Sequence, residues 1–573
     1  MGLMIHLGNF DECLQGSGGV PALGMSLQLA YCIPSTCSPQ DFQTVFNEYL
    51  SSNPLLGGMG ISVAVPDGSC QTSDEKELST GDWLAVALLL IIALLAVTST
   101  AYDLFKTGSK NKLFTSFSWY SNGKKLLSTN SSSDTLEAIH GIRFLSICWW
   151  VPSFWRLYIT NATVSVDTFF FLGGLLVCYL FLKQMDKEKA KFNIALYYFH
   201  RYIRLTPPYA MVILLTTTLL RYVSSGPLIK SFTEGSAKPC YENWWTNLLY
   251  VNNYIEADNM CLGHTWYLAI DMQLFILSPI ILYPLLKWPR KFSLSLLGAL
   301  IVGGLITAFV VCFEEEFTAS FLSTNLDQMY YQYFPTHTRF VPWLIGVGFG
   351  YLFHETKKRN LKLSKIMVLL GWCIGLTALL GSFFGAHPFN SLDKLEISGS
   401  ESEEPKDFLT NFEASIYVAL FRSGWALGVG WITYACVFGY GGPVNTFLSW
   451  KFFQPLSRVS YGIYLIHGIC QNVRIFSTRT TNYLTDLNLI PEFFSDVILS
   501  VFVAAILSLC VESPVIALEQ YLLRGGKSRN KKEKLQEQTV SLPKSKGIDV
   551  DFNSELQDVK TEIPNDITET YNR

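Results

Sequence analysis

Charged residues are scarce in this sequence of 573 residues: Asp, Glu, Lys and Arg make up 16% of it, whereas 49% is hydrophobic. Soluble globular domains contain about 25% charged residues, so this composition is typical of a polytopic helical membrane protein. The formal net charge of −3 predicts no nucleic-acid partner. Membrane lipids are therefore the first expected environment of the chain.

Several catalytic and targeting motifs are also missing. No GxSxG nucleophile elbow occurs, so a Ser-His-Asp hydrolase is not indicated. No His or Cys pair has the spacing of metal ligands on one helix face, and Cys32 and Cys37 lack a second paired motif, so we expect no metal site. The start, MGLMIHLGNF, has neither the basic nor the apolar region of a secretory signal peptide.

The first apolar run, 83–102, contains no charged residue and is long enough to cross a bilayer, which takes about 20 helical residues. Five lysines follow it in the segment 103–138, and the positive-inside rule makes that linker cytoplasmic. The preceding segment, 1–80, is then extracellular or lumenal. It holds Cys13, Cys32, Cys37 and Cys70.

Ten further apolar runs give the predicted fold class, an all-α polytopic membrane protein with about 11 transmembrane helices. The outer loop 314–336 has no Lys or Arg, whereas the predicted inner loops are basic, so the alternation of sides is self-consistent. The charged tail, 521–573, is expected to be disordered and cytoplasmic. The runs are 139–160, 164–182, 205–222, 264–286, 292–312, 339–353, 366–384, 414–438, 452–473 and 496–517.

Two outer segments carry modification signals. Cys240 and Cys261 bracket one polar loop, and in an oxidising lumen they predict a disulfide that stabilises the fold by about 3 kcal/mol. Asn161 begins an Asn-Ala-Thr glycosylation sequon on the same predicted side. Both signals are consistent with a plasma-membrane or secretory-pathway location.

Polar residues inside the apolar runs are the main candidates for function. Asp271 and Gln273 lie in the run 264–286, where an unpaired carboxylate costs several kcal/mol. Two interpretations stay open, a polar lock between helices and a wall of a reaction chamber or substrate path. For Asp167, Arg339 and Arg422, salt bridges between helices are the expected role.

A series of motifs runs along the chain in a fixed order. GNFDECL and YCIPSTCSPQDF come first, and after the first span follow LEAIHGIRFLSICWW, VSVDTFFFLGGLLVCYL, YYFHRYIRLTPPYA, CLGHTWYLAIDMQLFILSPI, TRFVPWLIGVGFGY, RSGWALGVGWITYACVFGYGG and PLSRVSYGIYLIH. This order resembles the nose-resistant-to-fluoxetine family of invertebrates: the first two motifs are similar to its Cys-rich extracellular domain, and residues 139–520 resemble its acyltransferase 3 membrane module. The resemblance implies a ten-helix O-acyltransferase fold after the first span.

The resemblance also implies site residues. Arg143, Asp271 and His467 match catalytic positions, and Arg201 with Arg204 matches a basic pair that would clamp the phosphates of an acyl-CoA donor. For His467 the alternative is a core histidine bonded to a backbone carbonyl. For the arginine pair the alternative is an ordinary positive-inside anchor.

One departure from the family matters most. Eleven positions after the arginine the family has a histidine, its proposed general base, and here that position is Phe154. His140 precedes Arg143 and is not expected to take its place. The stretch between 150 and 164 is shorter than usual, Gly173 stands where the family often has Ser, and we expect the Cys-rich segment to be partial.

Two functions therefore remain open. The first is a membrane-bound O-acyltransferase that moves an acyl group from acyl-CoA to a hydroxyl of a lipid, glycan or small molecule. The second is a non-catalytic transporter, or a lipid- or xenobiotic-handling protein, that keeps the fold. The family resemblance favours the first function, and the missing histidine favours the second.

Overall fold

The computed structural model describes twelve segments of the chain, and their regular secondary structure is helical apart from two three-residue strands, Met4–His6 and Leu27–Leu29, which pair in parallel. Phe154, Asn161, the four N-terminal cysteines and the tail after 522 lie outside the described residues. The described segments are 4–6, 27–29, 38–53, 63–65, 77–129, 136–150, 163–188, 192–225, 229–319, 326–385, 408–479 and 486–522.

The helices follow the predicted apolar runs, with short helices between them. Single turns of 3₁₀-helix occur at Leu220–Tyr222 and Gly263–Thr265, and π-helical turns at Met329–Tyr333 and Ser508–Glu512. The α-helices are α1 (Pro39–Ser52), α2 (Thr80–Phe105), α3 (Trp119–Leu127), α4 (Ala138–Trp150), α5 (Val164–Glu188), α6 (Ile194–Thr217), α7 (Ile229–Leu248), α8 (Trp266–Lys287), α9 (Arg290–Glu314), α10 (Leu326–Gln328), α11 (Thr336–Arg339), α12 (Val341–Arg359), α13 (Lys365–Phe384), α14 (Phe408–Val437), α15 (Gly442–Leu448), α16 (Phe453–Arg458), α17 (Ser460–Phe476) and α18 (Asp486–Leu507).

Six of the described helical segments are long and apolar enough to cross a membrane. The all-helical fold class and a multi-pass membrane protein are thereby supported. The other predicted runs fall on helices that are shorter or less apolar, such as α17 with 17 residues, so the count of about 11 spans stays a prediction. The six segments are Thr80–Phe105, Val164–Asp186, Gly263–Lys287, Arg290–Glu314, Lys365–Phe384 and Ile490–Leu522.

Helices α5 and α12 pack so closely that only glycine fits between them. A Cβ atom added at Gly174 would lie 2.0 Å from the Trp343 carbonyl oxygen, and one at Gly346 would lie 2.1 Å from the Phe171 carbonyl oxygen. Gly350 comes four residues after Gly346, which gives the small-xxx-small spacing of close helix pairs in membranes. This contact fixes α5, one wall of the candidate site, against the rest of the bundle.

Gly346→Ala should therefore destabilise the protein by about 1–3 kcal/mol, because the new methyl group would force the two backbones apart. Gly348→Ala is the matched control, since a Cβ there would meet only the Leu297 side chain, at 3.5 Å. Thermal unfolding of the purified variants in detergent measures both effects. Equal unfolding temperatures for the two variants would contradict this description of the α5–α12 contact.

The disulfide between Cys240 and Cys261 is present, with 4.3 Å between the two Cα atoms, so this prediction is confirmed. It ties α7 to the turn that leads into α8. Beneath it, the side-chain amide of Asn247 donates to the Tyr209 hydroxyl at 2.5 Å and to the Cys261 carbonyl at 2.7 Å. The N-terminal end of α8 is thereby held in place.

Helix α2, the first predicted span, is anchored to the following segments at both ends. At its start, Asp82 belongs to a capping box with Ser79, pairs with Arg221 and accepts a hydrogen bond from the Tyr222 hydroxyl at 3.0 Å. At its end, Asp103 accepts hydrogen bonds from side chains of the linker. These donors are Lys110 at 2.9 Å, Ser118 at 2.7 Å and Ser121 at 2.5 Å.

Candidate functional site

A cavity of about 780 Å³ lies between α3, α4, α5, α6, α8, α16, α17 and the end of the last helix. Its size is within the range of about 300–1,000 Å³ that small-molecule sites occupy. Along α5 the lining runs from Ser165 to Gln184, a rise of about 28 Å, which is close to the thickness of the hydrocarbon core. The cavity therefore follows most of the predicted path across the membrane.

The charged residues in the lining are mostly cations. Five Lys or Arg side chains and two Asp or Glu side chains line the cavity, so the described wall attracts anions. On α5 the wall is apolar, since Leu172, Leu176 and Leu180 follow each other at a spacing of four residues on one helix face. The charged residues are Lys125, Arg143, Arg201, Arg204, Arg458, Asp271 and Glu512.

Arg143 and His140 line the cavity from α4. They are three residues apart and so share one face of the helix. Among the described residues, no hydrogen bond or ion pair engages the Arg143 guanidinium. The Nδ1 atom of His140 lies 3.0 Å from the Ser457 hydroxyl, which also lines the cavity. The structure thus brings His140 to the same wall as Arg143, although no role was predicted for His140.

Arg201 and Asp271 join α6 to α8 at the cavity wall. The guanidinium binds the Asp271 carboxylate, and its central carbon lies 4.4 Å from the centre of the Phe275 ring. This pair locks two helices and lines the cavity at once, so both interpretations of Asp271 apply. A Cβ atom at Gly173 would lie 3.4 Å from an Asp271 carboxylate oxygen, so the serine common in the family would fit there.

Arg204 lies one helical turn beyond Arg201, near the acidic end of the last helix. Glu512 and Glu519 both attract it electrostatically. Glu512 ends the π-helical turn Ser508–Glu512 and accepts a hydrogen bond from the Ser508 hydroxyl at 3.0 Å. Glu519 binds Nδ1 of His200, another residue of the lining. π-Helical turns such as Ser508–Glu512 occur frequently at functional sites.

His467 does not belong to the cavity lining. Its ring is 3% exposed, and Nδ1 donates to the carbonyl oxygens of Tyr464 at 2.8 Å and Ile463 at 3.2 Å. The ring centre lies 5.3 Å from that of His264. This geometry favours the interpretation as a core histidine, and the catalytic role of His467 stays a prediction.

A second polar cluster is sealed within the bundle, outside the cavity lining. Arg339 donates to both Asp167 carboxylate oxygens, at 3.2 and 3.3 Å, and Arg422 Nε lies 4.0 Å from the same carboxylate. Asp167 and Arg339 are fully buried. The Arg339 guanidinium also faces the ring of Tyr333 at 4.2 Å. The expected salt bridges are thus present, and they hold α5, α11 and α14 together.

Asp167→Ala should destabilise the protein by about 3–5 kcal/mol, because it leaves the guanidinium of Arg339 buried without its carboxylate. Asp186→Ala, which removes a half-exposed partner of Lys358 at 3.0 Å, should cost no more than about 1 kcal/mol. The fraction of monodisperse protein after heating, measured by size-exclusion chromatography in detergent, compares the two. A loss as small for Asp167→Ala as for Asp186→Ala would show that the cluster is not structural.

Comparison with known proteins places the chain in a class of membrane proteins that carry an acyltransferase domain. A model of the Acyltransferase domain matches residues 138–511, more than half of the chain. No solved structure matches. Nose resistant to fluoxetine protein 6 of Caenorhabditis elegans is 30% identical in an alignment that covers 89% of this chain and 68% of that protein. The chain belongs to the nose-resistant-to-fluoxetine family with its acyltransferase 3 module.

Two other relatives show how far the similarity extends. Regulator of hypoxia-inducible factor 1 of Caenorhabditis elegans is 23% identical, over 85% of this chain and 99% of its own length. A protein of Staphylococcus aureus named "Putative O-acetyltransferase" is 28% identical, over 36% of this chain and 32% of its own length. The similarity to a bacterial protein with a named chemistry is therefore confined to part of the chain.

Several residues of the cavity lining have no role in the sequence-based prediction. His140 was expected not to replace the missing histidine, although a residue three positions before Arg143 on a helix must share its face. Glu512, a carboxylate in an apolar run, also carried a signal. The other contributions depend on how the helices and the linker pack together, which no local pattern records. They are Lys125, His200 and Arg458.

Proposed function

We propose that the chain is a membrane-bound O-acyltransferase that moves an acyl group from acyl-CoA to a hydroxyl acceptor. The observation that carries this proposal is the cavity on which Arg143, Arg201 and Arg204 converge beside an apolar stripe. Guanidinium groups suit phosphates, which they can bind with two hydrogen bonds. The stripe Leu172, Leu176 and Leu180 suits an acyl chain.

The orientation of the cavity supports a cytosolic donor. The positive-inside rule puts the linker, the start of α6 and the tail on the cytoplasmic side, and the N-terminal segment on the outside. Lys125 and Arg458 lie at the linker end of the lining, so acyl-CoA would enter from the cytosol. The lining extends along α5 toward Ser165, where a lipid, glycan or small-molecule hydroxyl would approach from the outer side.

The reaction needs a base and a group that stabilises an oxyanion. The acceptor hydroxyl oxygen bonds to the thioester carbonyl carbon, and a base takes the hydroxyl proton. The carbon–sulfur bond then breaks, and the CoA sulfur leaves with that proton. Arg143 would donate hydrogen bonds to the oxyanion, since no ion pair engages it in the described part of the chain.

We infer that His140 is the base. Its ring lies one helical turn from Arg143 on the cavity wall, and the Ser457 hydroxyl holds its Nδ1 atom. His200 is the rival, because it also lines the cavity and Glu519 binds its Nδ1 atom. However, the Nε2 atom of His200 is buried, so it is less accessible to an acceptor.

Arg143→Gln should reduce turnover by about 100-fold or more, because it removes the cation that faces the oxyanion, and it should weaken acyl-CoA binding much less, because the oxyanion forms only after acyl-CoA has bound. Arg290→Gln is the matched control, since Arg290 begins α9 on the predicted cytoplasmic side and does not line the cavity. Purified protein, acyl-CoA titration and release of free CoA give the two measurements.

The acyltransferase proposal would be rejected if the purified wild-type protein neither binds acyl-CoA nor releases CoA, and if the Arg143→Gln variant behaves in the same way as the wild type. The non-catalytic transporter or lipid-handling protein would then be the better proposal.

His140→Gln should lower kcat by about 100- to 10,000-fold while acyl-CoA binding stays close to wild type. An imidazole base works only when neutral, so wild-type turnover should fall at acidic pH and the residual turnover of the variant should lose that dependence. His354→Gln, at the Asp186 ion pair outside the cavity lining, is the control. If His200→Gln, and not His140→Gln, removes the fall of turnover at acidic pH, the assignment of His140 as the base is wrong.

A further inference from the structure

One wall of the cavity is built by residues that precede the acyltransferase domain. The domain match begins at residue 138, whereas Asn122, Lys125, Leu126 and Ser128 also line the cavity. Three of these four belong to α3, the short helix of the linker between the first span and the domain. The linker is thus part of the site and not only a connection.

The acyltransferase domain holds the end of α3 through Arg458. Its Nη1 atom donates to the carbonyl oxygens of Lys125 at 2.6 Å and Leu126 at 2.9 Å. The last carbonyl groups of a helix lack partners within the helix and carry partial negative charge, so a guanidinium stabilises them. Since Arg458 also lines the cavity, this contact sets α3 directly at the cavity edge.

The first span holds the other end of α3. Ser118 caps the helix by accepting a hydrogen bond from the Ser121 amide, and both hydroxyl groups bind the Asp103 carboxylate at the end of α2. The Trp119 amide donates to the Thr100 hydroxyl at 3.0 Å. With both ends fixed, the face of α3 that carries Lys125 has a defined position.

The chemistry of this face suits phosphate. Lys125 and Arg458 are cations, and the lysine is exposed, so its ammonium group stays in contact with water. An acyl-CoA is larger than the ligands that a cavity of about 780 Å³ normally encloses, so part of it must remain in the mouth. That part is the nucleotide end, which carries the phosphates, because the acyl chain belongs on the apolar stripe.

We propose that α3 forms the wall of the donor site at its cytosolic mouth and that Lys125 binds the phosphates at the nucleotide end of acyl-CoA. This inference rests on the proposed function and adds a donor-binding residue outside the acyltransferase domain. The first span and its linker would then determine which thioesters are accepted, since a donor without the nucleotide end gains nothing from Lys125.

The experiment compares Lys125→Glu with Lys124→Glu in the full-length protein. The two lysines are adjacent, exposed and on the same helix, but Lys124 does not line the cavity. Two donors are used, acetyl-CoA and acetyl-pantetheine, which lacks the nucleotide end. Lys125→Glu should raise KM for acetyl-CoA about fivefold or more and leave KM for acetyl-pantetheine unchanged. Lys124→Glu should change neither.

A second measurement, the salt dependence of acetyl-CoA binding, distinguishes a lost ionic contact from a general effect of the substitution on folding. Added salt should weaken acetyl-CoA binding by the wild type more than by Lys125→Glu, because the variant has already lost the ionic contact. Equal KM values for the two variants, or an equal effect of Lys125→Glu on both donors, would overturn the inference while the proposed function stands. A wild type that turns over neither donor would reject the proposed function, and the inference with it.

Discussion

The Arg201–Asp271 ion pair is the contact on which the cavity depends. A single charge at membrane depth costs several kcal/mol, so a carboxylate on α8 and a guanidinium on α6 can be tolerated there only together. Their pairing brings the two helices to one wall. Glu512 attracts Arg204 electrostatically. Asp271 also attracts Arg143, but no hydrogen bond or ion pair engages the Arg143 guanidinium in the described part of the chain, which agrees with the proposed role of donating to an oxyanion.

The sealed cluster of Asp167, Arg339 and Arg422 shows that charge alone does not define a site. It uses the same residue types as the cavity, yet Asp167 is 0% exposed and Asp271 is 8% exposed. The difference follows from helix packing. Glycines bring α5 and α12 into backbone contact beside the cluster, whereas the helices around Asp271 leave space. Access, and not the presence of paired charges, separates the candidate site from a structural lock.

Much of this arrangement could be predicted from local patterns. Apolar runs predicted the long helices, loop cysteines predicted the disulfide, and the order of motifs predicted that Arg143, Arg201, Arg204 and Asp271 belong to one module. The number of spans could not be fixed, because polar residues make several helices less apolar than an isolated span. His467 shows a second limit. Its motif suggested catalysis, but its ring faces backbone carbonyls and the ring of His264, which only the packing of α17 reveals.

The linker illustrates the strongest limit. Its five lysines predicted which side of the membrane it occupies, and that prediction needs only the sum of their charges. The role of each lysine depends instead on the direction in which its side chain leaves the helix. Lys124 and Lys125 are chemically identical neighbours, but successive side chains on a helix differ by about 100°, so one lines the cavity and the other does not. That direction is set by contacts made far apart in the sequence, from Asp103 on the first span to Arg458 beside the cavity. A segment whose composition indicates only a connector therefore becomes a wall of the site through hydrogen bonds at its two ends.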